Sequence, residues 1–287
     1  MRFGISTHLF HATRLERDHL IEVASYGFEA IELFATRTHF DYHDEAAVAD
    51  LARWLEDTGL ALHGVHAPIT LSLTDGVWGQ ALSNASKDQD ARRLAIREAQ
   101  AALAIAWRIP IPFLIVHLGV PRDLARPGDN DLDAARRSLE ELHEMAAPLG
   151  VRLAVEVIPN ELSSPTDLVT IVEEDLELPG VGVCLDYGHA FLMGDLLDAI
   201  ETASGHLVTT HVHDNRGTGD DHLVPFDGAI DWGAAMMATR KVGYDGTLLL
   251  ELANTENTRS VLEKARKARA KLERMLAWNP EPVAGTL

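Results

Sequence analysis

Apolar and polar positions along this chain follow two periods in turn. Short runs rich in Val, Ile and Leu recur: RFGIS (2–6), AIELF (30–34), LHGVHA (62–67), FLIVHL (113–118), RLAVEV (152–157), VGVCLD (181–186), LVTTHVH (207–213) and TLLLEL (247–252). Their brevity and β-branched content favour strands over buried helices. Between them, apolar residues fall three and four apart, as in EAAVADLARWLEDTG (45–59), ARRLAIREAQAALAIAW (91–107) and LDAARRSLEELHEMAAPLG (132–150). A further helical segment, TRSVLEKARKARAKLERMLAW (258–278), carries Lys and Arg toward its later turns, where they suit the helix dipole. Eight strand–helix units predict an α/β fold: a single-domain (β/α)8 TIM barrel over 1–275, with 276–287 as a C-terminal tail.

The connections give this barrel a polarity. Helix-to-strand links are short and carry glycine, as at 26–28, 58–60, 149–151, 179–181, 204–206 and 242–246. Glycine just past a helix supplies a left-handed stop. Strand-to-helix links are longer and more polar, notably 67–86, 119–130 and 214–230. Long polar loops on one rim predict a site at the C-terminal ends of the strands.

Composition narrows the function. Lys and Arg total 25 against 44 Asp and Glu, a formal net charge of −19. Such a surface repels polyanions, so nucleic acid ranks below small molecules as a partner. The single cysteine, Cys184, excludes an internal disulfide and fits a reducing compartment. The apolar stretch at 109–116 is too short to span a bilayer, and the start of the chain lacks the apolar region of a signal peptide. The expectation is a cytoplasmic protein without membrane attachment.

Every predicted strand ends at or near a group that can ionise or ligate: His8, Glu32, His66, His117, Glu156, Asp186, His211 and Glu251. In a barrel these positions converge on one mouth. Carboxylates crowded into a dry pocket need a cation, because repulsion would otherwise protonate them. A divalent metal is the simplest compensation. Two further pairs lie close by, Asp186 with His189 in DYGH and Asp220 with His222 in DDH. The stretch HVHDNRGTGDDH (211–222) therefore reads as a strand-end ligand followed by a loop that returns a second ligand pair. An Asp-x-His pair in an extended loop projects both side chains the same way.

With this motif order the chain resembles the xylose isomerase-like barrel superfamily, over roughly residues 1–275. That superfamily includes sugar isomerases and epimerases and the endonuclease IV type of abasic-site nuclease. The resemblance to the mononuclear members implies a metal held by Glu156, Asp186, His211 and Glu251. The resemblance to the nuclease implies three zinc ions on nine ligands: His66, His117, Glu156, Asp186, His189, His211, Asp220, His222 and Glu251. One ion is expected, with up to three in the full set. The oxygen-rich four-ligand core suits Mn2+ or Mg2+, and the five histidines suit Zn2+. Similar barrels often pair, so a homo-oligomer is expected.

The individual residues also have plainer uses. His66 and His117 fit equally as core histidines bonded to backbone carbonyls. His189, Asp220 and His222 fit equally as helix-capping groups. His63 and His213 read as structural or orienting, Cys184 as a buried filler. Trp78, Trp232 and Phe226 read as pocket walls or loop anchors.

Three functions follow from these readings. The first is a metal-dependent isomerase or epimerase of a small sugar, polyol or keto-sugar derivative, working through an enediolate. Glu156 and Glu251 would exchange the proton, with His66, His189 and Arg216 on substrate oxygens. A dehydratase would share this chemistry. The second is a multinuclear zinc hydrolase of phosphoesters. The third is a binding protein that keeps the site without turnover.

Overall fold

A computed structural model describes residues 1–175, 178–254 and 257–277. Eight parallel strands close into a barrel: β1 (Arg2–Ser6), β2 (Ala30–Phe34), β3 (Ala61–His66), β4 (Phe113–Val116), β5 (Arg152–Glu156), β6 (Val181–Asp186), β7 (Leu207–Val212) and β8 (Thr247–Leu250). Each pairs with its sequence neighbour, and β8 returns to β1. The expected (β/α)8 fold is the fold observed.

Alternation along the strands sorts the chain into an inner and an outer layer. Leu114, Val116, Leu153, Val155, Val183 and Leu185 point outward into the main core beneath the helices. Ile115, Ala154 and Cys184 form a separate small cluster inside the barrel. Two residues further along the same faces come His117, Glu156 and Asp186. A two-residue period thus turns an apolar barrel floor into a ring of ligating groups, without a break in the strand.

The helices are α1 (Arg17–Ser25), α2 (Glu45–Thr58), α3 (Gln89–Leu103), α4 (Leu132–Ala146), α5 (Pro165–Thr170), α6 (Tyr187–Met193), α7 (Leu196–Ala203), α8 (Trp232–Lys241) and α9 (Thr258–Ala277). Asp44, Asp88, Asp131, Asp195 and Asp231 cap five of them, each accepting from a backbone N–H of the first turn. Part of the acidic excess is therefore spent on starting helices. Gly59, at φ +71°, closes α2 in the left-handed stop expected there. Helix α9 runs through Ala277, so Leu276 and Ala277 belong to it; Trp278 and the rest of the expected tail, 278–287, lie outside the described residues. No described helix is long and apolar enough to cross a membrane.

The rim loops hold one element the hydrophobic pattern does not signal. Leu73–Thr74 and Val77–Trp78 pair as a short antiparallel hairpin in the loop after β3.

Candidate metal centre

The floor of the barrel mouth is built by β5 to β8. Glu156 and Asp186 are the last residues of β5 and β6, and Glu251 follows β8. Asp186 and His211 are register partners on β6 and β7. Glu156, Asp186, His211 and Glu251 are buried, and each offers a ligand atom within 4.8 Å of the others. Three more such groups adjoin them, two of them on the flanks. One is His66, His117 and Glu156; the other is His189, Asp220 and His222, joined by His213. A third group, Glu156, Cys184 and His211, overlaps the floor. All nine ligand candidates are thus brought together, and Glu156 belongs to three groups.

Glu156 divides its two oxygens between these groups. Oε2 lies 3.1 Å from His66 Nε2 and 3.2 Å from His117 Nε2. Oε1 lies 3.0 Å from His211 Nδ1. On the other side, Asp220 Oδ2 lies 3.1 Å from both His189 Nε2 and His222 Nε2.

The histidines are held in ligating orientation by the backbone. Nδ1–H of His66 donates to the Ala67 carbonyl at 2.9 Å, that of His189 to Val157 at 3.0 Å, and that of His222 to Glu251 at 2.9 Å. Each Nε2 is thereby turned toward the carboxylates. A bond on one ring nitrogen fixes which nitrogen can ligate. His211 is set the other way round: Nε2 faces Glu32 Oε1 at 3.0 Å, leaving Nδ1 for the acids. A β-bulge at Ile31/Glu32 accompanies this buried glutamate on β2.

His222 reaches the cluster by a route other than the extended loop expected. Its φ is +45°, a left-handed backbone that β-carbon-bearing residues seldom adopt. The turn bends the ring back onto Asp220 rather than alternating past it. Such conformations persist where the surroundings fix them, often at functional sites.

The electrostatics call for positive charge. Burial raises the Glu156 carboxyl, but His211 and His117 beside it outweigh this and hold it well below the usual carboxylate range. Burial lowers His189, yet Asp186 and Asp220 lift it to about 10. Burial lowers His222 too, and Asp220 lifts it to about 9. These carboxylates retain protons on the imidazoles, as they would retain a cation in the protons' place. Glu251 Oε1 and His213 Nδ1 are buried with no hydrogen-bond partner. Orphaned acceptors beside mixed oxygen and nitrogen donors fit a divalent metal.

The cluster opens into a cleft of about 420 Å3. Its upper wall holds Phe34, Trp78 and two histidines of the first βα turn, His8 and His11. Burial lowers the pKa of both histidines, so they remain neutral.

A model of the family described as the xylose isomerase-like TIM barrel matches residues 20–277. The chain belongs to that family. Among curated relatives, an uncharacterised Methanocaldococcus jannaschii protein, MJ1311, is 26% identical over 88% of this chain and 84% of its own length. An inosose isomerase of Bacillus velezensis is 22% identical, covering 89% and 91%. A D-psicose 3-epimerase of Agrobacterium fabrum is 27% identical, covering 80% and 76%. Among solved structures, a D-tagatose 3-epimerase-like protein superposes with a TM-score of 0.78 at 24% identity, covering 96% and 97%. The IolI protein with a bound zinc atom superposes with a TM-score of 0.75 at 18% identity, covering 95% and 98%. Both show the same fold.

Within this xylose isomerase-like barrel the remaining expectations separate. Arg216 is not brought to the cleft: its side chain is 63% exposed and pairs with Asp221 at 3.5 Å. The backbone turns there through Gly217 at φ +78°, and Asp221 captures both the Arg216 N–H and its guanidinium on the outside of the loop. His63 bonds Thr209 Oγ1 at 2.8 Å, away from the cluster. His213 Nε2 lies 3.0 Å from Asp186, the orienting contact expected of it. Burial pushes the Cys184 thiol up, which suits a filler. Trp232 is a loop anchor whose Nε1–H donates to Asp214 at 2.8 Å, whereas Trp78 walls the cleft. Sequence reasoning missed His11, which lies beyond the strand end and is returned to the mouth by the 3-10 turn Thr7–Phe10. The spacing His8-x-x-His11 was its one signal.

Proposed function

We propose that this chain is a divalent-metal-dependent isomerase or epimerase of a small sugar, polyol or keto-sugar derivative. The observation that carries this reading is the convergence of Glu156, Asp186, His211 and Glu251 on one point of the cleft floor. Those four would hold the ion. When bound, it supplies Lewis-acid stabilisation of negative charge developing on substrate oxygens. The chain's own groups do the rest. Glu156 and Glu251 both line the cleft; one takes the proton from the carbon beside a carbonyl and the other returns it. His66 and His189 offer their Nε2 atoms to substrate hydroxyls from flanking positions. The inosose isomerase and D-psicose 3-epimerase among the relatives support this class of reaction.

The flanking groups favour a second reading, a multinuclear zinc hydrolase of phosphoesters. Its support is that His66 with His117, and His189 with Asp220 and His222, are assembled beside the floor as ligand groups in their own right. Against nucleic acid as its substrate stand the net charge of −19 and a cleft lining of described residues that includes neither Lys nor Arg.

Metal content per chain separates the two. Protein purified without added metal or affinity tag is expected to hold about one ion, unchanged in His66→Ala and His222→Ala. Two or three zinc ions, with one lost in each variant, would replace the isomerase reading by the hydrolase.

A further inference from the structure

Resting on the isomerase or epimerase reading, we propose that the cleft mouth is a stacking subsite for a second, uncharged ring, so that the substrate is a neutral glycosidic derivative of a keto-sugar and not a sugar phosphate. The platform is Trp78. It lies flat on His11, with ring centroids 5.5 Å apart and planes 18° apart. His11 stacks in turn on His8 at 4.3 Å, and His8 lies 4.8 Å from the candidate ligand His222. The column runs from the mouth down to the ligand cluster. Trp78 nevertheless remains 47% exposed while lining the cleft. His11 is its single ring neighbour among the described residues. A large aromatic ring left half in solvent at the mouth of a ligand cleft is an anchor awaiting a partner.

The platform is built, not loose. Trp78 pairs in register with Leu73 across the hairpin. The turn between them uses Asp75 and Gly76, both at positive φ, the conformation a tight two-residue hairpin turn requires. Gly79 N–H donates to Ser72 O at 2.8 Å, and Leu73 N–H donates to Thr38 Oγ1 at 2.9 Å, which ties the hairpin to the loop after β2. Leu124, 67% exposed, lines the same cleft from the loop after β4. Two rim loops therefore present apolar groups where solvent-facing loops ordinarily present polar ones.

Charge decides what kind of ring or substituent fits. The described lining includes Glu156, Asp220 and Glu251 but neither Lys nor Arg. A phosphoryl or carboxylate group at the mouth would find no Lys or Arg among the lining residues, and the imidazoles of His189 and His222 deeper in the cleft already face Asp220. An uncharged ring meets no such cost and covers the open indole face. The cleft, at about 420 Å3, falls within the range of sites that enclose drug-sized ligands.

Calorimetry on the full chain loaded with Mn2+ tests this with phenyl β-D-glucoside, cellobiose, methyl β-D-glucoside and glucose 6-phosphate. Phenyl glucoside, cellobiose or both are expected to bind about tenfold tighter than methyl glucoside. The tighter of the two identifies the second ring as aromatic or pyranose. Trp78→Ala is expected to erase that gain and leave the methyl glucoside Kd within twofold; Trp78→Phe should restore most of it. No binding by the ringed probes, equal Kd values, a gain that survives Trp78→Ala, or tightest binding of glucose 6-phosphate overturns the proposal. The metal count of the protein as purified, before Mn2+ is added, reports on the isomerase reading separately. One ion with no ring preference removes the subsite alone, and three ions with a ring preference remove the reaction alone.

Discussion

Glu32 is a fully buried carboxylate whose Oε1 faces His211 Nε2, the nitrogen turned away from the other acids. On the proposed reading it is a positioning residue, fixing the imidazole so that Nδ1 would serve a metal. Partners of this kind are worth about 10–100-fold in metal affinity. Chelator competition should show that loss in Glu32→Gln with the fold retained; unchanged affinity would remove Glu32 from the site. His39 gives a second prediction away from the cluster. It is buried, its Nδ1–H donates to the Thr13 carbonyl at 2.6 Å, and burial pushes its pKa down from 6.5 to about 4. The unfolded chain therefore takes up this proton first as the pH falls. Its contribution to stability is complete above about pH 6.5 and is lost toward pH 4, amounting to roughly 2–3 kcal/mol. Urea unfolding at pH 7 and 4.5 should show a loss smaller by that amount in His39→Leu than in the parent, and equal losses would contradict it. At this scale the convergence of Glu156, Asp186, His211 and Glu251 was legible because all four stand at strand ends. His39 was not, because a neutral buried histidine leaves no periodic mark. Arg216 was misplaced because nothing in the residue order says which way a loop side chain turns.

Among the elements, the loop after β7 hangs on one residue. Asp214 is fully buried and accepts from the backbone N–H groups of Asn215, Phe226 and Ile230 and from Trp232 Nε1–H. The loop passes it closely at Gly228, where an added β-carbon would lie 2.3 Å from Asp214 Oδ1. Asp214→Ala leaves several buried donors without an acceptor, at about 1–3 kcal/mol each. A loss of roughly 3 kcal/mol or more in unfolding free energy is expected. A variant as stable as the parent would show that the loop is held otherwise. The strands were legible to within a residue or two because alternation and β-branching persist over five or six positions. The hairpin at 73–78 was not, since two-residue strands are too short to show a period. Helices α5, α6 and α7 are likewise short, with Ser164, Asp186 and Asp195 capping their starts.

For the whole molecule, the eight repeated units and the glycine stops make the barrel readable in the sequence, because closure follows from repetition. The surface charge was readable as well. The concentration of that charge was not: Glu32, Glu156, Asp186 and Glu251 are all buried around one mouth. A cation bound there by the folded state alone adds about 4 kcal/mol at a thousand times its Kd. The melting temperature should therefore rise on the order of 10 °C with saturating Mn2+ or Zn2+ and fall back with a chelator. A melting temperature indifferent to both ions would argue against a metal centre.

The two oxygens of Glu156 serve different neighbours, and this has a thermodynamic consequence. An ion seated among Glu156, Asp186, His211 and Glu251 draws on the same carboxylate that an ion between His66 and His117 would need. The two occupancies cannot be independent, and linkage makes their influence on each other equal in both directions. Under the two-ion alternative, stepwise metal titration should show the first ion weakening the second, a coupling that Glu156→Gln reduces; a single constant with one ion fits the isomerase reading. On that alternative the number of ions per chain would follow the free metal around it, so that the supply of the medium, and not the sequence alone, would set which form of the centre is populated.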